Sequence, residues 1–257
     1  MTEWNAAAYS RLAALQRWVA DEHLRSLTLA GDERVLDVGC GDGTITARIA
    51  DRVARGSVLG VDPSTRMIAF AHEHCRRPNL DFAIGDAARL GFAEAFDLVV
   101  SFNALHWVLD PRAALTSIRA ALRPGGRTFL EFVPAAERRS LERVIEATRS
   151  TPRWAPYFAG YRAPYLHLSP EDYAGLARDS GLEIERIATE RKEWDFGSRE
   201  AFVDWARVTF VEWTRMIPDG ERDQFITDVL DAYAEVGRDV GPHVFVFYQM
   251  EVELRRP

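Results

Sequence analysis

The chain has 257 residues, 47% of them hydrophobic, enough to bury a sizeable core as one α/β domain or as a core with a modest cap. A formal net charge of -7 with no basic tract argues against a nucleic-acid surface, and the short pairs Arg76-Arg77 and Arg138-Arg139 read as solvated helix faces. Two cysteines, Cys40 and Cys75, suit a reduced compartment better than a disulfide framework; no apolar run has membrane-spanning length and the start, Met-Thr-Glu-Trp-Asn, lacks a leader, so a cytoplasmic chain without a membrane partner is expected.

Residues 3 to 29 place Tyr9, Leu12, Leu15, Val19, Leu24 and Leu27 at roughly helical intervals, predicting one or two helices. Val35, Leu36 and Val38 then form a short apolar run, Gly39, Gly41 and Gly43 follow at once, and residues 44 to 54 carry apolar side chains at helical spacing. That is strand, tight turn, helix, with glycines that let a ligand lie against bare main chain at a helix N-terminus. A dinucleotide fingerprint needs glycine at the sixth place from Gly39, where Thr44 stands, and a phosphate loop needs a lysine that is absent. Asp37 and Asp42 flank the turn instead, and carboxylates repel phosphate but suit an ammonium or sulfonium. A glycine turn without a ligand is the plain alternative.

Residues 57 to 61 read as a second strand, ended by Asp62, 25 positions after Asp37, where a carboxylate can accept from both hydroxyls of a ribose or simply cap the next helix. Pro63 and Ser64 start that helix, which runs through Met67, Ala71 and Cys75. A third strand, 80 to 84, is followed by Gly85, Asp86 and Ala87; a fourth, 96 to 101, is apolar almost throughout, as strands buried on both faces are. It leads into Asn103, Ala104, Leu105, His106 and Trp107, and then a helix from Pro111 with Ala114, Leu115, Ile118 and Leu122. Leu122-Arg123-Pro124-Gly125-Gly126-Arg127 predicts a stop before a strand over 128 to 133. Such alternation implies right-handed crossovers and a parallel sheet with its ligand site at the carboxyl ends of the strands, where all these aspartates and Asn103 to Trp107 fall.

Past Pro134 the pattern predicts a helix over 137 to 148, an aromatic and proline-rich loop over 150 to 167 that is a candidate lid, and a capped helix from Ser169 and Pro170 to Gly181. A strand over 182 to 194, an aromatic-rich stretch over 198 to 215, a helix over 219 to 236 and an alternating strand over 244 to 254 complete the chain. No repeat or long linker divides it, so a single domain over 1–257 is expected: a core over 30–134, cap and substrate insertions over 135–243, and a last strand over 244–257. No metal-ligand spacing is present.

The run from Asp37 to Gly43 resembles the first motif of class I S-adenosylmethionine-dependent methyltransferases, and the Leu122 to Gly126 turn resembles another of that family's signatures. The likeness is strong from Arg34 to Val133; beyond it, the order of elements is similar to trans-aconitate and juvenile hormone acid methyltransferases. The resemblance implies a Rossmann-like α/β fold: a seven-stranded, mostly parallel sheet with helices on both faces and a helical cap from the C-terminal half. It implies S-adenosyl-L-methionine as cofactor and methyl transfer to a small-molecule acceptor, with an oxygen of an organic acid expected. Cofactor contacts carried over are Asp37, Gly39, Cys40 and Gly41; Asp62, Pro63 and Met67; Asp86 and Ala87 at the adenine; Asn103, Ala104 and Trp107; and Trp4, Tyr9 and Gln16 folding over from the N-terminal segment, where Trp4 and Tyr9 equally well pack the helix.

On the acceptor side, His106 is the candidate general base for an alcohol or amine, with hydrogen bonding to a substrate oxygen or packing on Trp107 as alternatives. Arg162, His167 and His243 are candidates for a carboxylate clamp, and Trp154, Tyr157, Tyr161, Tyr165, Trp205 and Tyr248 for an acceptor pocket, against the plainer readings of surface arginine and core aromatic. Two other functions fit the same motif: a non-catalytic S-adenosylmethionine-binding regulatory module, and a nicotinamide-dependent oxidoreductase, which Thr44 and the flanking carboxylates disfavour. Oligomeric state is not written in the sequence.

Overall fold

A computed structural model describes residues 14–257, with the backbone alone at residues 14, 16 and 17. Trp4, Tyr9 and the side chain of Gln16 therefore lie outside the described residues. The strands are β1 (Arg34–Val38), β2 (Ser57–Asp62), β3 (Leu80–Ile84), β4 (Phe96–Phe102), β5 (Leu122–Phe132), β6 (Glu183–Asp195) and β7 (Val244–Arg255). They form one seven-stranded sheet in the order β3-β2-β1-β4-β5-β7-β6. β1 to β5 pair in parallel, while β7 runs antiparallel to both β5 and β6. The sheet is mostly parallel, as expected.

The helices among the described residues are α1 (Ala14–Ser26), α2 (Thr44–Arg52), α3 (Thr65–His74), α4 (Pro111–Ala121), α5 (Leu141–Arg149), α6 (Pro170–Asp179), α7 (Arg199–Thr209), the single turn α8 (Val211–Thr214) and α9 (Arg222–Val236). The period-two alternation of the central strands feeds two apolar layers: Leu36, Val99 and Leu130 meet Leu115 and Ile118 of α4, while Val35, Leu98 and Val100 meet Ile49 of α2 and Leu24 of α1. α5 and α7 to α9 enclose a third, aromatic-rich core around Trp154, Phe202, Phe225 and Tyr233. Helix starts follow side-chain caps: Ser64 accepts from the Met67 N–H, Asp110 from Ala113 with Pro111 in the first turn, and Ser169 from Asp172.

Three boundaries differ from expectation. β5 begins at Leu122 and not at 128, because the proline-glycine stop is absorbed as a bulge: Leu122 lies opposite Phe96, and the next pairing is Arg127 with Leu98. Gly125, with φ +76°, donates its N–H to the Arg256 carbonyl and Gly126 accepts from the Arg256 N–H, so the bulge is stitched to the chain's end. The helix expected from 137 starts at Leu141 because Ser140 caps it, accepting from the Arg143 N–H, while Arg138 is drawn to the Val236 carbonyl and Asp239. The helix over 219 to 236 opens with a 3-10 turn at Asp219–Glu221. No helix of the described residues is long and apolar enough to cross a membrane.

Candidate functional site

At the carboxyl end of β1 the chain folds over its neighbour, with the Gly39 and Cys40 N–H groups both donating to the Val61 carbonyl of β2 at 2.7 and 3.1 Å. Gly39 takes φ +79°, and a Cβ there would lie 2.1 Å from the Ala104 Cβ, so only glycine lets the loops after β1 and β4 meet. Gly41 takes φ +53° but faces open space, with no atom within 4 Å of where a Cβ would stand. Its N–H donates to Asp62 Oδ2 at 3.1 Å, while Asp62 Oδ1 accepts from the Ser64 N–H at 2.9 Å. One carboxylate thus orders both the glycine loop and the start of α3.

Asp37 sits beneath this loop and is only 1% exposed. Its Oδ2 accepts from the Thr46 hydroxyl at 2.6 Å, and Oδ1 is sealed without a partner among the described residues. Burial pushes its carboxyl up to about 7 even though the Thr46 hydrogen bond opposes the rise, and the nearby charge of Asp62 adds to it. An uncompensated carboxylate here is costly, which favours a cationic neighbour. Asp86 caps a 3-10 turn, Ala87–Arg89, accepting from the Ala88 N–H at 2.9 Å. Asn103 follows β4 with φ +54°, its N–H donating to the Glu131 carbonyl at 2.7 Å and its Oδ1 accepting from Gln249 Nε2 at 3.0 Å.

These groups open on one cavity of about 1030 Å³. Asp37, Gly39, Cys40, Gly41, Asp62, Pro63, Met67, Asp86, Ala87, Asn103, Ala104 and Trp107 all line it, so every residue from 37 to 107 proposed for the cofactor is brought together. On the acceptor side His106, Arg162, Trp205 and Tyr248 line the same space. Trp154, Tyr157, Tyr161, Tyr165, His167 and His243 do not, because the aromatic core claims most of them. Trp154 is 1% exposed and its indole N–H donates to Asp228 at 2.9 Å; the Tyr157 hydroxyl donates to Glu221 at 2.6 Å. Tyr161 stands 4.7 Å from the Arg149 guanidinium, and Tyr165 packs on Trp107 and Trp213. His167 stacks near Tyr165 and His106, and the His243 carbonyl accepts from the Phe196 N–H at 3.0 Å.

His106 is buried with Nδ1 sealed and unpartnered among the described residues, and its ring centroid lies 5.9 Å from that of His167. Burial first, then the His167 charge, pushes it down to about 3, so it is an uncharged imidazole near neutral pH.

Several lining residues were missed by sequence reasoning. Arg138 and Arg139, expected on a solvated helix face, line the cavity instead, with Glu142 and the pair Glu212 and Arg215. α1 contributes Val19, Ala20 and His23, and β7 contributes Phe245 and Phe247. The buried His23 ring lies against the Glu131 carboxyl and stacks on Phe102 at 4.9 Å. Its signal was legible in principle: a histidine within an apolar helical stripe, and a glutamate within the apolar strand Phe129-Leu130-Glu131-Phe132.

A family model described as a methyltransferase domain matches residues 35–126. The chain is similar to the trans-aconitate 2-methyltransferase of Variovorax paradoxus, 33% identical over 211 residues that cover 81% of this chain and 80% of that protein. It is also similar to that of Methylobacterium radiotolerans, 31% identical over 216 residues with coverage of 81% and 80%. In fold it is similar to phosphoethanolamine N-methyltransferase 2 of Haemonchus contortus in complex with S-adenosyl-L-methionine, with a TM-score of 0.61 and 18% identity over 98% of this chain and 56% of that one.

Proposed function

The chain belongs to the class I S-adenosylmethionine-dependent methyltransferases, and from that premise we propose that it methylates a carboxylate oxygen of a small organic acid. The observation that carries the reading is that Arg139 and Arg162, without a carboxylate partner among the described residues, line the same cavity as the aspartate rim. The trans-aconitate 2-methyltransferases to which the chain is similar add to its support.

The residues present fit S-adenosylmethionine. The charge of the buried Asp37 carboxyl beneath the glycine loop favours a cation nearby, Asp62 at the end of β2 is assigned the ribose hydroxyls, and Asp86 with the Ala87 peptide suits a purine edge. Bound there, the cofactor would supply a methyl carried on a sulfonium, and a carboxylate acceptor would need no proton removed to take it. His106, held uncharged by burial, is too weak a base to take a proton from an alcohol or amine, and a carboxylate needs none taken. We assign it to hydrogen bonding with the acceptor. Trp107, Trp205 and Trp213 give the cavity an apolar wall, and positioning does the rest of the work.

The test is incubation with S-adenosylmethionine and a panel of organic acids, following S-adenosylhomocysteine release and the mass of the product. Methyl esters are expected. Methylated amines or phenols, with every acid inert, contradict the reading.

A further inference from the structure

We infer that the acceptor selected here is a monocarboxylic acid with a bulky apolar body, and that polycarboxylates are rejected; the inference rests on the carboxylate reading above. Two features of the cavity carry it, one of shape and one of charge.

The wall contributed by α7, the break at Phe210, α8 and β7 presents Trp205, Phe210, Trp213, Phe245 and Phe247, and Trp107 joins them from the β4 end. The rings brace one another, with centroid separations of 5.2 Å for Trp205 with Phe245, 6.2 Å for Phe210 with Trp213 and 6.4 Å for Trp107 with Trp213. Side chains already ordered by their neighbours lose little freedom when a ligand arrives, so such a surface rewards an apolar body at small entropic cost.

Among the described residues five arginines line the cavity, and three are committed elsewhere. Arg48 holds Asp21, Arg138 holds Asp239 and the Val236 carbonyl, and Arg215 grips both oxygens of the buried Glu212. Arg139 and Arg162 remain, and Glu142 adds one negative charge to the same lining, with no ion-pair partner among the described residues. The described residues on the acceptor side thus offer about one uncompensated positive charge, enough for a single carboxylate. A second or third carboxylate would be desolvated against indole and phenyl rings, or set near Glu142 and Glu212, with nothing to offset the loss. A tricarboxylate such as trans-aconitate therefore fits poorly, although the chain is about one-third identical to proteins named for it.

The experiment compares kcat/KM, read as S-adenosylhomocysteine release, for 4-phenylbutyrate, trans-cinnamate and decanoate against trans-aconitate and citrate. The apolar monoacids are expected to exceed both polycarboxylates by about tenfold or more, the factor that one unmatched polar group typically costs. Equal or better turnover of a tricarboxylate overturns the inference. Phe247→Arg, which adds a cation to the aromatic wall, is expected to narrow the ratio about tenfold; an unchanged ratio in the folded variant overturns it. Titration of the parent, loaded with S-adenosylhomocysteine, with 4-phenylbutanamide keeps the two readings apart. Quenching of tryptophan fluorescence by this neutral analogue supports an apolar-body site even if no acid is esterified, in which case the carboxylate reading alone fails; no quenching overturns the apolar-body inference.

Discussion

Replacing Asp37 by asparagine separates stability from cofactor affinity. In the folded protein the Asp37 carboxyl is raised from 3.8 to about 7, chiefly by burial. Between about pH 4 and pH 7 the folded state therefore binds more protons than the unfolded chain, and this group's contribution to stability falls as pH rises through that window. A shift of about three units corresponds to about 4 kcal/mol, and relaxation around the charge trims the expected effect to about 2–4 kcal/mol. Asparagine is nearly isosteric and its carbonyl oxygen still accepts from the Thr46 hydroxyl, so Asp37→Asn removes the ionisation cost and little else. Without ligand the variant should be more stable than the parent by about that amount near pH 8 and equal to it within about 0.5 kcal/mol near pH 4. Its affinity for S-adenosylmethionine should fall about tenfold or more, since the negative charge beneath the loop that favours the cationic end is lost. Denaturant unfolding followed by tryptophan fluorescence across this pH range reads the first effect, and calorimetric titration the second. Parallel stability profiles for variant and parent, or unchanged affinity, would refute the reasoning.

Gly39 and Gly41 should respond differently to alanine. Gly41→Ala is expected to fold with a loss of about 1 kcal/mol, yet to bind cofactor at least about tenfold more weakly because its methyl enters the open space facing the cavity. Gly39→Ala drives a methyl into Ala104 and should cost about 2–4 kcal/mol, seen as a drop in melting temperature. His106, lowered from 6.5 to about 3, leaves the unfolded state binding more protons between those values, so its contribution to stability falls as pH falls below about 6.5. His106→Gln should remove about 2 kcal/mol of acid sensitivity near pH 4.5 and lower kcat while leaving the Kd for S-adenosylhomocysteine unchanged, checked by unfolding curves and steady-state kinetics. Asp228→Ala strands the buried Trp154 indole N–H and should cost about 1–3 kcal/mol in a melting experiment, with no change in cofactor affinity.

The gathering of the residues assigned to the cofactor at one cavity was legible because its logic is local. Each of β1, β2 and β4 is a short apolar run with an unusual residue in or just past its last two positions, so the strand end and the side chain that it delivers can be read together at Asp37, Asp62 and Asn103. The acceptor half is assembled across long stretches of chain, and single residues say little about it. Tyr161 and Tyr165 look like pocket residues in sequence, but the guanidinium of Arg149 and the rings of Trp107 and Trp213 hold them in the core. Arg139 looks like surface, and yet the Ser140 cap shortens α5 and leaves the preceding arginines along the cavity. The bulge at Leu122 to Arg127 was hidden for the same reason: a proline-glycine stop reads locally as a turn, and it is distant bonds, from Phe96 and from Arg256, that keep it in the ladder.

The most direct measurement is calorimetric titration of S-adenosylmethionine and S-adenosylhomocysteine into the parent protein and into Asp62→Ala, each checked for its fold by circular dichroism. Both ligands should bind the parent with one site per chain, and the variant should bind them at least about tenfold more weakly, since it loses a carboxylate that orders the Gly41 amide and is assigned the ribose. No heat of binding with either ligand, or equal affinity in a folded variant, would contradict the placement of the cofactor against these aspartates.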